Sequence, residues 1–161
     1  MSLELSISDH LWYMSMALEQ AELAYKAQEV PVGAILVSPQ GEILAKTHNL
    51  KETHHNPTAH AEILAVIEAA KKLHNWRLSD CTLYVTLEPC PMCLMSMLQA
   101  RIKQCVFGAY DPKGGALSLG YNFHQDKRLN HQFSVIGGVK HFEASKLLSG
   151  FFKDRRVTYK K

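Results

Sequence analysis

Apolar positions along the first third of the chain change period twice. Leu11, Met14, Leu18, Ala21 and Tyr25 recur at helical spacing, which predicts a first helix capped by Ser8 or Asp9. The continuous apolar run Val32–Val37 predicts a buried strand, and Ser38-Pro39-Gln40-Gly41 carries turn chemistry. Residues 42–48 return as a second strand, so the two form a hairpin. Polar residues from Asn49 to Pro57 make a loop. Helical spacing resumes from about Ala59 to Leu73, with Thr58 as the cap and Ile63, Ile67 and Ala70 on one stripe. The β-branched and aromatic stretch 82–87 predicts a third strand. Pro91 suits the first turn of a short helix, and residues 104–109 predict a fourth strand. Asp111 to about Gly120 is a loop, Phe133–Val139 a fifth strand broken by Gly137-Gly138, and residues 142–158 a terminal helix. Strands separated by helices predict a layered α/β fold with helices on both faces of the sheet.

A length of 161 residues suits a single domain with a real core. Its 47% hydrophobic and 20% charged content is that of a globular chain, not a disordered one. No apolar run approaches the roughly 20 residues of a membrane span. Met1-Ser2-Leu3-Glu4 has no basic segment leading into a hydrophobic stretch, so no export signal is expected. Four cysteines are too few for a disulfide scaffold. Cys81 and Cys105 read as buried free thiols in strands, and a reducing cytoplasm is the expected location. Charge is uneven. Residues 146–161 carry Lys146, Lys153, Arg155, Arg156, Lys160 and Lys161 against Asp154 alone, while the whole chain carries only +3. A basic terminus on a slightly acidic body suits an anionic partner.

The chemistry concentrates in His60-Ala61-Glu62 and Pro89-Cys90-Pro91-Met92-Cys93. His60 falls in the first turn of the second helix, and Cys90 and Cys93 bracket the start of the third. Thiols three apart there share a helical face and reach one metal. Helix starts favour the thiolate form that binds metal. One imidazole and two thiolates give a tetrahedral zinc three protein ligands and leave a corner for water, the arrangement of catalytic sites. Glu62 then stands where it can move that water's protons. Each segment alone is weak: His-x-Glu at a helix start is ordinarily surface polarity, and a Cys-x-x-Cys that opens a helix after a strand also suits a redox pair. Their conjunction, in this order, is similar to the signature of zinc-dependent nucleobase deaminases.

With that signature the chain resembles the bacterial tRNA-specific adenosine deaminases of the cytidine deaminase-like superfamily. The resemblance extends over nearly the whole chain, through Glu29-Val30-Pro31-Val32-Gly33-Ala34, Pro57-Thr58-Ala59-His60-Ala61-Glu62, Leu83–Cys90, Val106-Phe107-Gly108-Ala109, Asp111-Pro112-Lys113, Leu129-Asn130-His131 and Phe151-Phe152 with Arg155-Arg156. It implies a single zinc-dependent deaminase domain over 1–161, a three-layer α/β/α fold around a five-stranded mixed sheet, one Zn2+ per subunit and a homodimer. The implied reaction is deamination of adenosine to inosine at the wobble position of a tRNA anticodon stem-loop. Zinc hydroxide held by His60, Cys90 and Cys93 attacks C6, and Glu62 shuttles the protons. Asn49 matches a residue that hydrogen-bonds the flipped base, and Asp111 and Lys113 match the loop beside the substrate nucleotides. By itself Asn49 reads as a loop residue, and Asp111-Pro112-Lys113-Gly114 as a solvated turn. On the terminal helix, Ala144, Leu147, Leu148 and Phe151 form a core stripe. Phe152, Arg155 and Arg156 occupy an adjacent face, an aromatic beside two guanidiniums that suits a nucleic acid; a solvated basic face is the plain alternative.

Two segments depart from the family. Leu94-Met95-Ser96 stands where small residues are usual, and Gly114–Leu119 lacks the usual Ala-Gly-Ser ending. The bulkier side chains are expected to narrow the base pocket or to alter packing at the dimer interface. Pro-Cys-Pro-Met-Cys-Leu is also similar to guanine deaminases. A basic, aromatic terminus argues against a free base as substrate, because a free base needs no phosphate clamp. Glu62 and a three-ligand set argue against a purely structural zinc.

Overall fold

The computed structural model describes residues 4–160; Met1, Ser2 and Leu3 of the leader reading and Lys161 of the basic terminus lie outside them. The elements are α1 (Ile7–Lys26), β1 (Gly33–Val37), β2 (Ile43–His48), α2 (Ala61–Leu73), β3 (Thr82–Leu87), α3 (Pro91–Gln99), β4 (Gln104–Ala109), β5 (Ser134–Ile136) and α4 (His141–Tyr159), with a 3-10 turn at Phe123–Gln125. One five-stranded sheet runs in the order β2-β1-β3-β4-β5. β1 pairs antiparallel with β2 and β3, whereas β3–β4 and β4–β5 are parallel. The α/β fold and its mixed sheet match the sequence reading. No helix among the described residues is long and apolar enough to cross a membrane.

Both faces of the sheet are covered, which explains why its central strands read as continuous apolar runs. Successive residues point to opposite faces and feed separate cores. Ala34, Leu36, Leu83, Val85, Cys105 and Phe107 pack with Ala61, Ala65 and Ala69 of α2 and Leu94, Met97 and Leu98 of α3. Ile35, Val37, Tyr84 and Val106 pack with Tyr13, Met14 and Ala17 of α1. The basic helix α4 packs with α1 on this second face, over β3 and β4. Cys81 and Cys105 are buried free thiols.

The phase of two helices differs from the sequence reading. α1 buries Tyr13, Met14, Ala17, Ala21 and Ala24, and Leu11 is 43% exposed. α2 buries Ala61, Glu62, Ala65 and Ala69, and Ile67 is 45% exposed. The inward faces are built from alanine because the helices lie close to the sheet. At Gly33 a Cβ would stand 2.0 Å from the Ala17 carbonyl oxygen, so helix and strand touch through their backbones. The α1 cap also differs. Ser6 caps the helix through a reciprocal box, its hydroxyl accepting from the Asp9 N–H at 3.2 Å while Asp9 Oδ2 accepts from the Ser6 N–H at 2.8 Å. Regular β5 pairing is limited to Ser134–Ile136, because Gly138 takes φ +85° and interrupts the ladder. The chain still follows β4, with Gly138 and Val139 donating to the Gly108 and Phe107 carbonyls.

Gly33→Ala is expected to lower stability by about 1–3 kcal/mol, the range for overpacking a tight contact, read as a fall in the urea midpoint. An unchanged midpoint would show that α1 moves away freely.

Candidate active site

α2 and α3 start side by side at one end of the sheet, and the residue before each start carries the chemistry. His60 caps α2 and Cys90 caps α3, both in extended backbone, and neither side chain makes a cap hydrogen bond. His60 therefore precedes the first turn instead of lying in it. Thr58, expected as the cap, turns its hydroxyl to Asn56 Oδ1 at 2.8 Å. With Pro91 opening α3, Cys93 falls one turn beyond Cys90 on the same side. His60 Nδ1 is 3.6 Å from Cys90 Sγ and 3.5 Å from Cys93 Sγ, and the three donor atoms lie within 4.8 Å of one another. Metal–nitrogen and metal–sulfur bonds of roughly 2.1 and 2.3 Å at a tetrahedral angle place N and S about 3.6 Å apart. The spacing fits a single tetrahedral cation. No fourth His, Cys, Asp or Glu among the described residues joins the group, and neither thiol is in a disulfide.

Electrostatics follow from the crowding. The neighbouring Cys93 thiol, with His60 adding to the effect, draws the Cys90 thiol down to about 4. Cys93 is pushed upward by its hydrogen bond to Cys90 and by burial. His60 is raised, chiefly by its hydrogen bond to Cys90. Two adjacent sulfurs share one thiolate charge; a cation held between them favours the thiolate at both. Glu62 is buried, and burial raises its carboxyl pKa. An upward shift favours a carboxyl group that can hold a proton as well as accept one.

Above these groups lies a cavity of about 290 Å³, near the lower bound of roughly 300 Å³ for small-molecule sites; it suits one nucleobase. It is lined by His60, Glu62 and Cys90 of this group, by Val30, Val32, Asn49 and Lys51, and by Leu87, Glu88, Asp111 and Gly114. Asn49 and Asp111 thus reach the cavity. Asn49 also braces its own loop, giving an N–H to the Val30 carbonyl at 3.3 Å and accepting from the Lys51 N–H at 3.1 Å. Asp111 Oδ1 accepts from the Lys113 and Gly114 N–H groups at 3.1 Å, so it also forms the turn. Lys113 is exposed and outside the cavity lining. Phe152, Arg155 and Arg156 lie on α4, also outside it. Phe152 and Arg156 are exposed, and half-buried Arg155 rests on the Phe151 ring with Cζ 5.2 Å from its centroid. Tyr25 donates a hydrogen bond to Asp154 that ties α4 to α1.

Two buried carboxylates passed over as site residues hold the cavity walls. Glu88 Oε1 accepts from the Asp111 N–H at 3.2 Å and the Ser118 hydroxyl at 2.6 Å, and its Oε2 accepts from the Ser118 N–H at 2.9 Å. A Cβ at Gly115 would stand 1.9 Å from that Oε2, so the loop closes directly on the carboxylate. Glu29 does the same across the cavity, accepting from the Glu52 and Thr53 N–H groups at 2.9 and 3.0 Å. The available signal was a charged residue embedded in an apolar or proline-flanked stretch. Of the two departures from the family, only the 114–119 loop reaches the cavity, through Gly114. Leu94 is wholly buried in the core, Met95 packs against that core, and neither lines the cavity. Ser118 in the altered loop is a ligand of Glu88.

A family profile described as MafB19-like deaminase matches residues 8–156. The chain is 49% identical over 144 residues to the tRNA-specific adenosine deaminase of Bacillus subtilis (strain 168), covering 89% of each. The chain belongs to the tRNA-specific adenosine deaminase family. As a deaminase it also superposes on a solved structure from biochemical and structural studies of A-to-I editing by tRNA:A34 deaminases at the wobble position of transfer RNA. That likeness has a TM-score of 0.81 at 39% identity and covers 85% of this chain and 99% of the other. A guanine deaminase from Bacillus subtilis is similar over less of the fold, with a TM-score of 0.61 at 36% identity and 70% of each chain covered.

Replacing Glu88 by Gln removes a charged acceptor from the wall of this deaminase. A loss of about 1.5 kcal/mol corresponds to a roughly tenfold rise in KM, with kcat and metal content retained. A fall in kcat at constant KM would place Glu88 in the chemistry instead of the wall.

Proposed function

We propose that this deaminase converts adenosine to inosine at the wobble position of a tRNA anticodon stem-loop. In this reading it works in the cytoplasm as a homodimer of single-domain chains, each holding one Zn2+. The observation that carries the reading is one imidazole and two thiols grouped within 4.8 Å beneath a base-sized cavity, with a buried carboxylate beside them. The kinship with tRNA-specific adenosine deaminases supports the choice of substrate.

His60, Cys90 and Cys93 would hold the zinc, which when bound supplies Lewis acidity and a water acidified to a pKa of about 7. Glu62 would take a proton from the attacking water as a C6–O bond forms on adenine, and would give that proton to ring N1. It then passes the second water proton to the exocyclic amine. The C6–N bond breaks, ammonia leaves, and the C6 carbonyl of inosine forms. One water is consumed, and no atom changes oxidation state overall through an external reagent. Asn49 orients the base edge in the cavity. Asp111 and Lys113 flank it and meet the adjoining nucleotides. Phe152 offers a stacking face, and Arg155 and Arg156 meet phosphates. The base must enter unstacked, which an anticodon loop permits at small cost.

Glu62→Ala is expected to retain stoichiometric zinc and lose about 100- to 10,000-fold in turnover, measured as inosine formed in an anticodon stem-loop with adenosine at the wobble position. Substantial residual turnover would remove Glu62 from the proton path. Activity of the intact chain on free guanine, with none on the stem-loop, would move the reading to a guanine deaminase.

Arg155→Ala combined with Arg156→Ala should weaken tRNA binding and reduce the slope of log affinity against log salt by about 1.4, two phosphate contacts at roughly 0.7 each. An identical slope in the variant would detach α4 from the RNA surface.

A further inference from the structure

The end of the sheet opposite the catalytic cavity carries a second concentration of cations, built around an exposed tryptophan. Trp76 follows α2 and is 53% exposed. The Arg77 guanidinium lies over its ring with Cζ 4.2 Å from the centroid, and Arg101 Cζ is 5.9 Å from the same centroid. Asn75 Oδ1 accepts from the Arg77 N–H at 3.0 Å, fixing the turn that presents the pair. Arg101 spends one N–H on the Leu98 carbonyl at 2.8 Å. Neither arginine is in an ion pair with any described carboxylate. Arg77, Arg101, Lys103 and His131 share with Ser79 and Asp80 a surface depression of about 420 Å³.

The chemistry of this group selects its ligand. A guanidinium held over an indole is preorganised, and its N–H groups away from the ring can meet an anionic oxygen. Two guanidiniums near the indole, with one aspartate in the same depression, leave it net positive. An exposed aromatic next to arginines is the combination that engages nucleic-acid backbone and base together. The segments that build it lead into β3, β4 and β5, whereas the catalytic groups follow the other ends of β3 and β4. Six residues of β3 separate the two ends by about 20 Å at roughly 3.3 Å per residue. A nucleotide seated over Glu62 cannot also occupy this depression.

We infer that Trp76, Arg77 and Arg101 form a second RNA-backbone site, distant from the catalytic cavity. It rests on the reading of tRNA as substrate. The phosphates come either from a remote arm of the bound tRNA or from a second RNA molecule. Two arginines would contribute about 1.4–1.8 to the salt slope, at roughly 0.7–0.9 per phosphate contact.

The test compares full-length tRNA with its anticodon stem-loop on the zinc-loaded protein, using wild type, Arg77→Gln with Arg101→Gln, and Arg77→Lys with Arg101→Lys. Deamination of the stem-loop by wild type first checks the underlying reading, and its absence would sink that reading. With it intact, the Gln pair should keep stoichiometric zinc and stem-loop turnover while losing about tenfold in RNA affinity and flattening the salt slope. The Lys pair should restore much of the slope. A loss confined to full-length tRNA assigns the site to the same molecule. Loss of a second stem-loop per chain at saturation assigns it to another RNA. Equal affinity and slope for the Gln pair and wild type on both RNAs would overturn the inference.

Discussion

Three donor atoms carried by two helix starts have to meet within 4.8 Å, and much of the fold can be traced to that requirement. His60 and Cys90 are cap residues in extended backbone with no cap hydrogen bond of their own. Their side chains are therefore free to converge. The helix starts are brought together because α2 and α3 share one face of the sheet, their alanines and methionines filling the same core. Positive helix termini favour the charged sulfurs that the grouping needs. Burial acts differently on Glu62, raising its carboxyl pKa above the usual carboxylate value.

Around this centre two loops supply much of the cavity wall. Glu29 and Glu88 each turn a buried carboxylate to backbone N–H groups of a loop. Such hydrogen bonds are charge-assisted and expensive to leave unmade. Asn49, Lys51, Asp111 and Gly114 reach the cavity from the loops so held. The unusual Leu94-Met95 pair affects the packing behind α3, not the shape of the base site. Asp111 and Gly114 of the 111–118 segment line the cavity, whereas Leu94 and Met95 of the helix that carries the thiols do not.

Much of this was legible from residue order alone. The hairpin, the parallel strands with their intervening helix, and the conjunction of His-x-Glu with Pro-Cys-x-x-Cys all have local signatures. The helix phases were misread at Leu11 and Ile67 because large apolar residues were assigned inward. The close approach at Gly33 instead admits alanines and excludes bulk. The break expected at Gly137-Gly138 is where regular β5 pairing ends, after Ile136, with Gly138 in the left-handed region. Ser6 was missed as a cap because Ser8 and Asp9 carry equally good capping chemistry, and only the reciprocal bonds decide between them. Glu29 and Glu88 were hidden for another reason. Their partners are backbone N–H groups 23 to 30 residues away, and backbone donors leave no mark in a sequence.

The site depends on a cation held by one nitrogen and two sulfurs. Zinc-edge X-ray absorption on the purified protein measures this directly. One zinc per chain is predicted, with two sulfur scatterers at about 2.3 Å and two nitrogen or oxygen scatterers at about 2.0–2.1 Å. Absence of bound zinc, or a shell of four sulfurs, would contradict the site as described.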